Sequence, residues 1–247
     1  MKQTEDVHYP DSDGLPIAEN TIQFRWIAIV MWNAAALFHD RPDVFVAGDH
    51  LIYPVEGKPE IRSAPDAYVA FGVPDRDRGS YKVWQEGGVF PQVVFEVWSP
   101  GNRKADFDAK LAFYEKYGAE EYYLIDPEGR EDIYGWLRHE GRLVKVPTMN
   151  GFVSPRLSFR FHSTNGEIGI DGPDGKPLID PKEAMRQRDA AELRADEERF
   201  HADLARNRAE TERTAKEAER TAKEAAMLDV EKLRAKLREL GIDPDTL

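Results

Sequence analysis

Cysteine is absent from the 247-residue chain, which excludes disulfides, thiolate metal sites and a cysteine nucleophile. Long apolar runs are missing too. The longest, residues 26–38, is interrupted by Asn33 and falls short of the roughly 20 residues a membrane-spanning helix needs. Residues 1–14 are acidic and polar and lack the basic, then apolar, layout of a secretory signal. The expectation is a soluble cytoplasmic protein with no membrane segment. The six histidines show no H-E-x-x-H or comparable spacing, which argues against a zinc site. Positive charge is in short supply: Lys+Arg number 34 against 46 Asp+Glu, a net charge of -12. Non-specific phosphate binding draws on Lys and Arg, so a nucleic-acid partner would need a local basic surface or bound cations.

Between these absences the chain alternates helical and strand-like patterns. Ile22, Trp26, Ile29, Val30, Asn33 and Leu37 recur at three- and four-residue steps, predicting a helix over 17–39 that Pro42 ends. Strand-like runs follow at 44–47, 51–55, 66–71 and 93–98. The Gly-, Pro- and charge-rich segment 72–91 is long enough to be functional or mobile. A helix is predicted over 104–117, closed by Gly118 as its C′ residue. Then come a strand over 121–125, a hairpin pairing 132–138 with 143–146 around Glu140-Gly141, and short strands near 157–161 and 168–170. This order predicts an α/β (α+β) core with a mixed sheet.

From Lys182 to Leu240 there is neither Pro nor Gly, and the heptad ERTAKEA beginning at Glu212 repeats identically from Glu219. Ala215, Ala218, Ala222 and Ala225 form a seam that continues, after a one-residue slip, through Ala226, Val230, Leu233, Leu237 and Leu240. A coiled coil, as a homodimer, is expected; a solvated single helix is the plainer alternative. The chain thus divides into an irregular lead-in (1–16), a globular part (17–181) and a C-terminal helix (182–247).

Two carboxylates interrupt the apolar strands. Asp66 opens the run Ala67-Tyr68-Val69-Ala70-Phe71, and Glu96 sits within Val93-Val94-Phe95-Glu96-Val97-Trp98. A carboxylate in such a setting is costly to bury without a cation. A carboxylate pair on neighbouring strands is a ligand set for Mg²⁺ or Mn²⁺. Lys110 borders an aromatic stripe on the second helix, with Phe113 and Tyr117 on its own face and Phe107, Leu111 and Tyr114 adjoining.

Pro65-Asp66, Glu96-Val97-Trp98-Ser99-Pro100, Asp106 with Lys110 and Tyr114, Gly118, and the run from Glu121 to Pro127 (Glu-Tyr-Tyr-Leu-Ile-Asp-Pro) resemble the bacterial "putative restriction endonuclease" family, a branch of the PD-(D/E)XK nuclease superfamily. The resemblance spans roughly residues 8–180. It implies a restriction-endonuclease-like mixed sheet flanked by helices, and Mg²⁺- or Mn²⁺-dependent hydrolysis of DNA phosphodiesters. It also implies that Asp66 and Glu96 bind the metal and that Lys110 positions or activates the water. Glu19, on the first helix, matches an acidic position that supplements such sites, and Asp49 is a further metal candidate. The superfamily pattern asks for lysine two residues after the glutamate, where this chain has Trp98; in this branch the lysine sits on the following helix.

Plainer readings stand beside these. Asp66 is a turn residue in one, Glu96 belongs to a structural ion pair in another, and Lys110 pairs only with Asp106 in a third. Arg76, Arg78, Lys82, Arg103 and Lys104 form either a DNA-facing rim or solvated loop charge. Residues 169–177 lack phosphate-loop spacing and read as a Pro-Asp-Gly turn, and Ser99 lacks a hydrolase elbow. The alternative to an endonuclease is a catalytically inactive nuclease fold serving as a nucleic-acid-binding or scaffolding protein through its coiled coil. A glycosidase using the two carboxylates is a distant third.

Overall fold

The computed structural model describes residues 7–12, 14, 18–128, 132–164 and 166–239. Residues 17 and 240, where the outer helices were expected to begin and end, lie outside them, as does most of the lead-in. The chain divides into two units, residues 1–184 and 185–247.

The first unit opens with α1 (Thr21–Leu37). Its start is set by Asn20, whose side chain accepts the N–H groups of Ile22 and Gln23 at 2.9 and 2.8 Å, satisfying two donors that a helix N-terminus otherwise leaves open. Glu19 therefore stands before the helix, not on it as the sequence suggested.

Strands β1 (Val44–Ala47), β2 (Ile52–Tyr53), β3 (Ala67–Phe71), β4 (Tyr81–Lys82) and β5 (Val93–Val97) precede α2 (Lys104–Tyr117). After α2 come β6 (Glu121–Asp126), β7 (Asp132–His139), β8 (Arg142–Lys145), β9 (Arg160–Thr164) and β10 (Glu167–Asp171). The main sheet has six strands in the order β1-β3-β5-β6-β7-β8. Its pairs are antiparallel except β5 with β6. A parallel neighbour requires a crossover, and α2 supplies it. This is the mixed sheet flanked by helices that the sequence implied.

Side-chain alternation divides the sheet into two buried faces. Val93, Phe95 and Val97 of β5 and Tyr123 and Ile125 of β6 pack in one cluster with Ile27, Val30 and Ala34 of α1 and with Phe161 and Ile170 of the β9–β10 hairpin. Val94, Tyr122, Leu124, Tyr68 and Ala70 point the other way, into a second cluster with Tyr114 of α2. Glu96 shares the parity of Val94 and so faces α2.

The 72–91 segment, expected to be functional or mobile, contains β4 and a short 3-10 turn, Val83–Glu86. Glu86 fastens it: its carboxylate accepts from Arg78 at 2.8 Å and Arg76 at 2.9 Å, and the Arg78 guanidinium lies 4.0 Å over the Phe45 ring. The Arg78 side chain is 4% exposed. It is therefore removed from the proposed DNA-facing rim, because a buried guanidinium is held by its carboxylate and ring.

Helix α3 (Pro181–Glu239), most of which belongs to the second unit, runs 59 residues with none buried, about 90 Å at ~1.5 Å per residue. Four-residue ion pairs, Arg220 with Glu224 and Lys223 with Glu219, line it. Val230 and Leu233 of the expected seam are exposed. Among the described residues no helix is long and apolar enough to cross a membrane.

Candidate active site

The β3–β5 register pairs Ala67 with Phe95 and Tyr68 with Val94; one step further it sets Asp66 opposite Glu96. Asp66 secures that step itself, since its Oδ2 accepts the Val97 N–H at 2.6 Å. Beneath it Gly48 passes so close to the Asp66 carbonyl that any Cβ there would collide with it. Two carboxylates from adjacent strands thus face the same helix.

From α2, Lys110 Nζ donates to Glu96 Oε2 at 2.6 Å and to the Ala64 carbonyl at 3.3 Å. One helical turn on, the Tyr114 hydroxyl donates to Glu96 Oε1 at 2.7 Å, with the Ser63 hydroxyl 3.0 Å from the same phenol oxygen. Burial and the neighbouring Glu96 hold the Tyr114 phenol well above its usual range, so it remains a donor. Both Glu96 oxygens are oriented, one by a cation and one by a neutral hydroxyl. Asp106 serves the helix end: its Oδ2 accepts the Arg103 N–H at 3.1 Å.

The pair is electrostatically strained. Burial first, then the Glu96 charge, push the Asp66 carboxyl up to about 8, with Asp49 adding to the rise and Lys110 and the Val97 N–H opposing it. Desolvation and like charge both disfavour a second anion here. A bound cation would relieve both.

Asp49 is exposed and in the left-handed region, at φ 48°. Its N–H donates to the Pro65 carbonyl at 3.0 Å, which brings its charge within influence of Asp66. Glu19 lies on the turn after β5: its Oε2 accepts from the Ser99 hydroxyl at 2.6 Å and the Gly101 N–H at 3.2 Å. Among the described residues no group of three or more His, Cys, Asp or Glu is arranged to hold a metal ion.

Sequence reasoning assigned no role to three residues at this site. Tyr114 orients Glu96, and its four-residue step from Lys110 was the available signal. Gln23, buried on α1, donates to the Val97 carbonyl at 3.1 Å and accepts the Glu19 N–H at 2.8 Å, joining α1 to the strand that bears Glu96. Tyr122 is fully buried and its hydroxyl has no hydrogen-bond partner among the described residues; in sequence it reads only as core.

No curated protein matches the chain. Among solved structures, it is similar to a "putative nuclease belonging to DUF820" from Anabaena variabilis ATCC 29413, with 12% identity and a TM-score of 0.38 over 55% of this chain and 72% of that one. The family model described as "Putative restriction endonuclease" (Uma2) matches residues 10–162, more than half of the chain, and the protein belongs to that family.

Proposed function

We propose that the chain is a Mg²⁺- or Mn²⁺-dependent endonuclease that hydrolyses DNA phosphodiester bonds. The observation that carries this reading is the placement of Asp66 opposite Glu96, with Lys110 reaching Glu96 from the crossover helix. Two hard carboxylate donors suit a small divalent ion that completes its sphere with water and substrate phosphate oxygens, and the raised Asp66 carboxyl marks a place where positive charge is wanted. Asp66 and Glu96 would hold the ion, Asp49 would add negative potential, and Glu19 would brace the turn after β5. When bound, the metal would supply Lewis-acid stabilisation of the phosphoryl charge and a more acidic water. Lys110 holds a positive charge beside Glu96, where it orients a water for attack and offsets charge developing on the phosphate. Tyr114 keeps the Glu96 carboxylate in one orientation.

A second reading is a catalytically inactive nuclease fold used for nucleic-acid binding or scaffolding. It is favoured by the engagement of both Glu96 oxygens by protein donors and by the net charge of -12. In either case α3 is proposed to form a homodimeric coiled coil; in the nuclease it would bring two sites to one duplex.

Plasmid cleavage in Mg²⁺ or Mn²⁺ by wild type, Glu96→Ala and Lys110→Ala decides between the readings. Metal-dependent nicking lost in both variants supports the endonuclease. An inert wild type that still binds nucleic acid supports the scaffold.

A further inference from the structure

A second feature lies on the same face of the sheet. The cross-strand row that begins with Asp66 and Glu96 continues through Leu124 on β6, paired with Glu96, to Tyr134 on β7, paired with Leu124. At ~4.8 Å between strands, Tyr134 stands about 10 Å from Glu96. Around it opens a cleft of about 670 Å³ walled by Trp98, Phe107, Leu124, Tyr134 and Trp136, with Asp126 in its lining. A smaller space of about 40 Å³, lined by Glu96, Lys110 and Tyr122, shares Trp98, Phe107 and Leu124 with the cleft. Glu96 and the cleft are thus separated by single side chains, and Tyr122 is among the residues that line the space between them.

We infer that this cleft takes an unpaired nucleobase of a single-stranded or locally opened nucleic acid whose neighbouring phosphate lies at the carboxylate pair. This deepens the nuclease reading and rests on it for the position of the phosphate. Trp98 and Tyr134 are half-buried, offering ring surface to a planar ligand, and stacking of bases on such rings is tolerant of sequence. The charges lining the cleft balance, Lys104 and Lys145 against Asp108 and Asp126, so its interior suits a neutral ring better than a phosphate.

The Lys145 ammonium, on an exposed residue, lies 4.9 Å over the Tyr134 ring, where it can meet a flanking phosphate. A base paired within a duplex is stacked and cannot enter.

The test is binding of a labelled single-stranded oligonucleotide and of the blunt duplex of the same sequence, with Mg²⁺, in the Glu96→Gln background, where the nuclease reading expects no hydrolysis. The inference expects the single strand to bind more tightly. Tyr134→Ala should weaken that binding about tenfold or more, with little effect on the duplex, while Tyr134→Phe, which keeps the ring, should retain it. Equal or tighter binding of the duplex, no binding of the single strand, or single-strand affinity unchanged in Tyr134→Ala overturns the inference. Plasmid cleavage by the wild type is scored separately. Cleavage without single-strand preference leaves the nuclease standing and removes the base cleft; preference and ring dependence without cleavage does the reverse.

Discussion

Lys110 reaches Glu96 at 2.6 Å from the helix that leaves Glu96's own strand and returns to its parallel neighbour. A lysine two residues after the glutamate would project from the same sheet face; Trp98 occupies that position and walls the cleft instead. The crossover helix thus returns a cation over the carboxylate. Lys110→Met, which keeps the aliphatic stem, should lower metal-dependent cleavage by about 10²–10⁴. Its side chain is 38% exposed but that of Glu96 is 7% exposed, so the stability cost should be about 1–3 kcal/mol, as for any lost bond to a buried charged group. Steady-state cleavage and urea unfolding of the same preparation separate the two effects, and undiminished cleavage would remove Lys110 from the chemistry.

Tyr114 is fully buried and donates to Glu96 at 2.7 Å. Tyr114→Phe preserves the packing with Phe113 and Tyr122 and deletes only the donor. It should cost about 1–3 kcal/mol, as a lost bond to a charged group does. Metal affinity should weaken about 10–100-fold, because an unheld ligand is free to turn. Calorimetric titration with Mn²⁺ measures this directly, and unchanged affinity would make Tyr114 a packing residue only.

With its carboxyl near 8, Asp66 is largely protonated in the metal-free protein at neutral pH, and a metal must displace that proton. Apparent affinity for Mn²⁺ should therefore rise with pH, approaching tenfold per unit below about 8, and level off above it. In the metal-free protein the folded state holds a proton that the unfolded state has released above ordinary carboxyl values. The Asp66 contribution to stability is then fully present at acid pH and is lost as pH rises through about 8. Glu96→Gln removes the second cause of the rise, after burial, and should move the loss of stability in the metal-free protein to lower pH; a pH-independent Mn²⁺ affinity of the wild type would contradict the assignment.

Glu86 and Arg78 test the tethering of the 72–91 segment. Each side chain is 4% exposed, and the Arg78 hydrogen bonds hold the Glu86 carboxyl below its usual range. Arg78→Met leaves Glu86 with only the half-exposed Arg76 and should cost about 3–5 kcal/mol, as uncovering one partner of a buried pair does. Because the Glu86 carboxyl is depressed, its stabilisation is present above the ordinary carboxyl range and is lost as pH falls through its folded value. Acid unfolding of the wild type should show that loss, and Glu86→Gln should lack it.

Local chemistry made much of the framework legible. The second helix runs over residues 104–117 as expected, because Gly118 takes the left-handed C-cap conformation, at φ 111°. The hairpin around Glu140-Gly141 was equally local, with both residues at positive φ. Asp66 and Glu96 stood out because each broke an apolar run, but their opposition depends on strand register. The burial of Arg78 was not legible, because its contacts with Glu86 and Phe45 leave no periodic trace in the sequence. Glu19 stands outside α1 because Asn20 caps the helix and starts it at Thr21. The aromatic cleft stayed hidden since Tyr134 and Trp136 alternate as any half-buried strand does, and only the sheet aligns them with Glu96.

The seam of α3 supplies the last prediction. Val230 and Leu233 are 53% and 60% exposed and share a stripe with Leu237, while the two identical heptads before them offer only alanine. Alanine buries little area, so association through α3 should depend on the leucine end. In the proposed homodimer, Leu233→Lys would place a charge at that seam in both copies and should weaken association by about 3 kcal/mol or more, over a hundredfold in Kd. An equivalent change at an alanine of the repeat should cost less. Sedimentation equilibrium across concentration distinguishes these outcomes. A wild type that stays monomeric throughout would make α3 a solvated single helix, and double-strand cleavage would then need two independent encounters with the duplex.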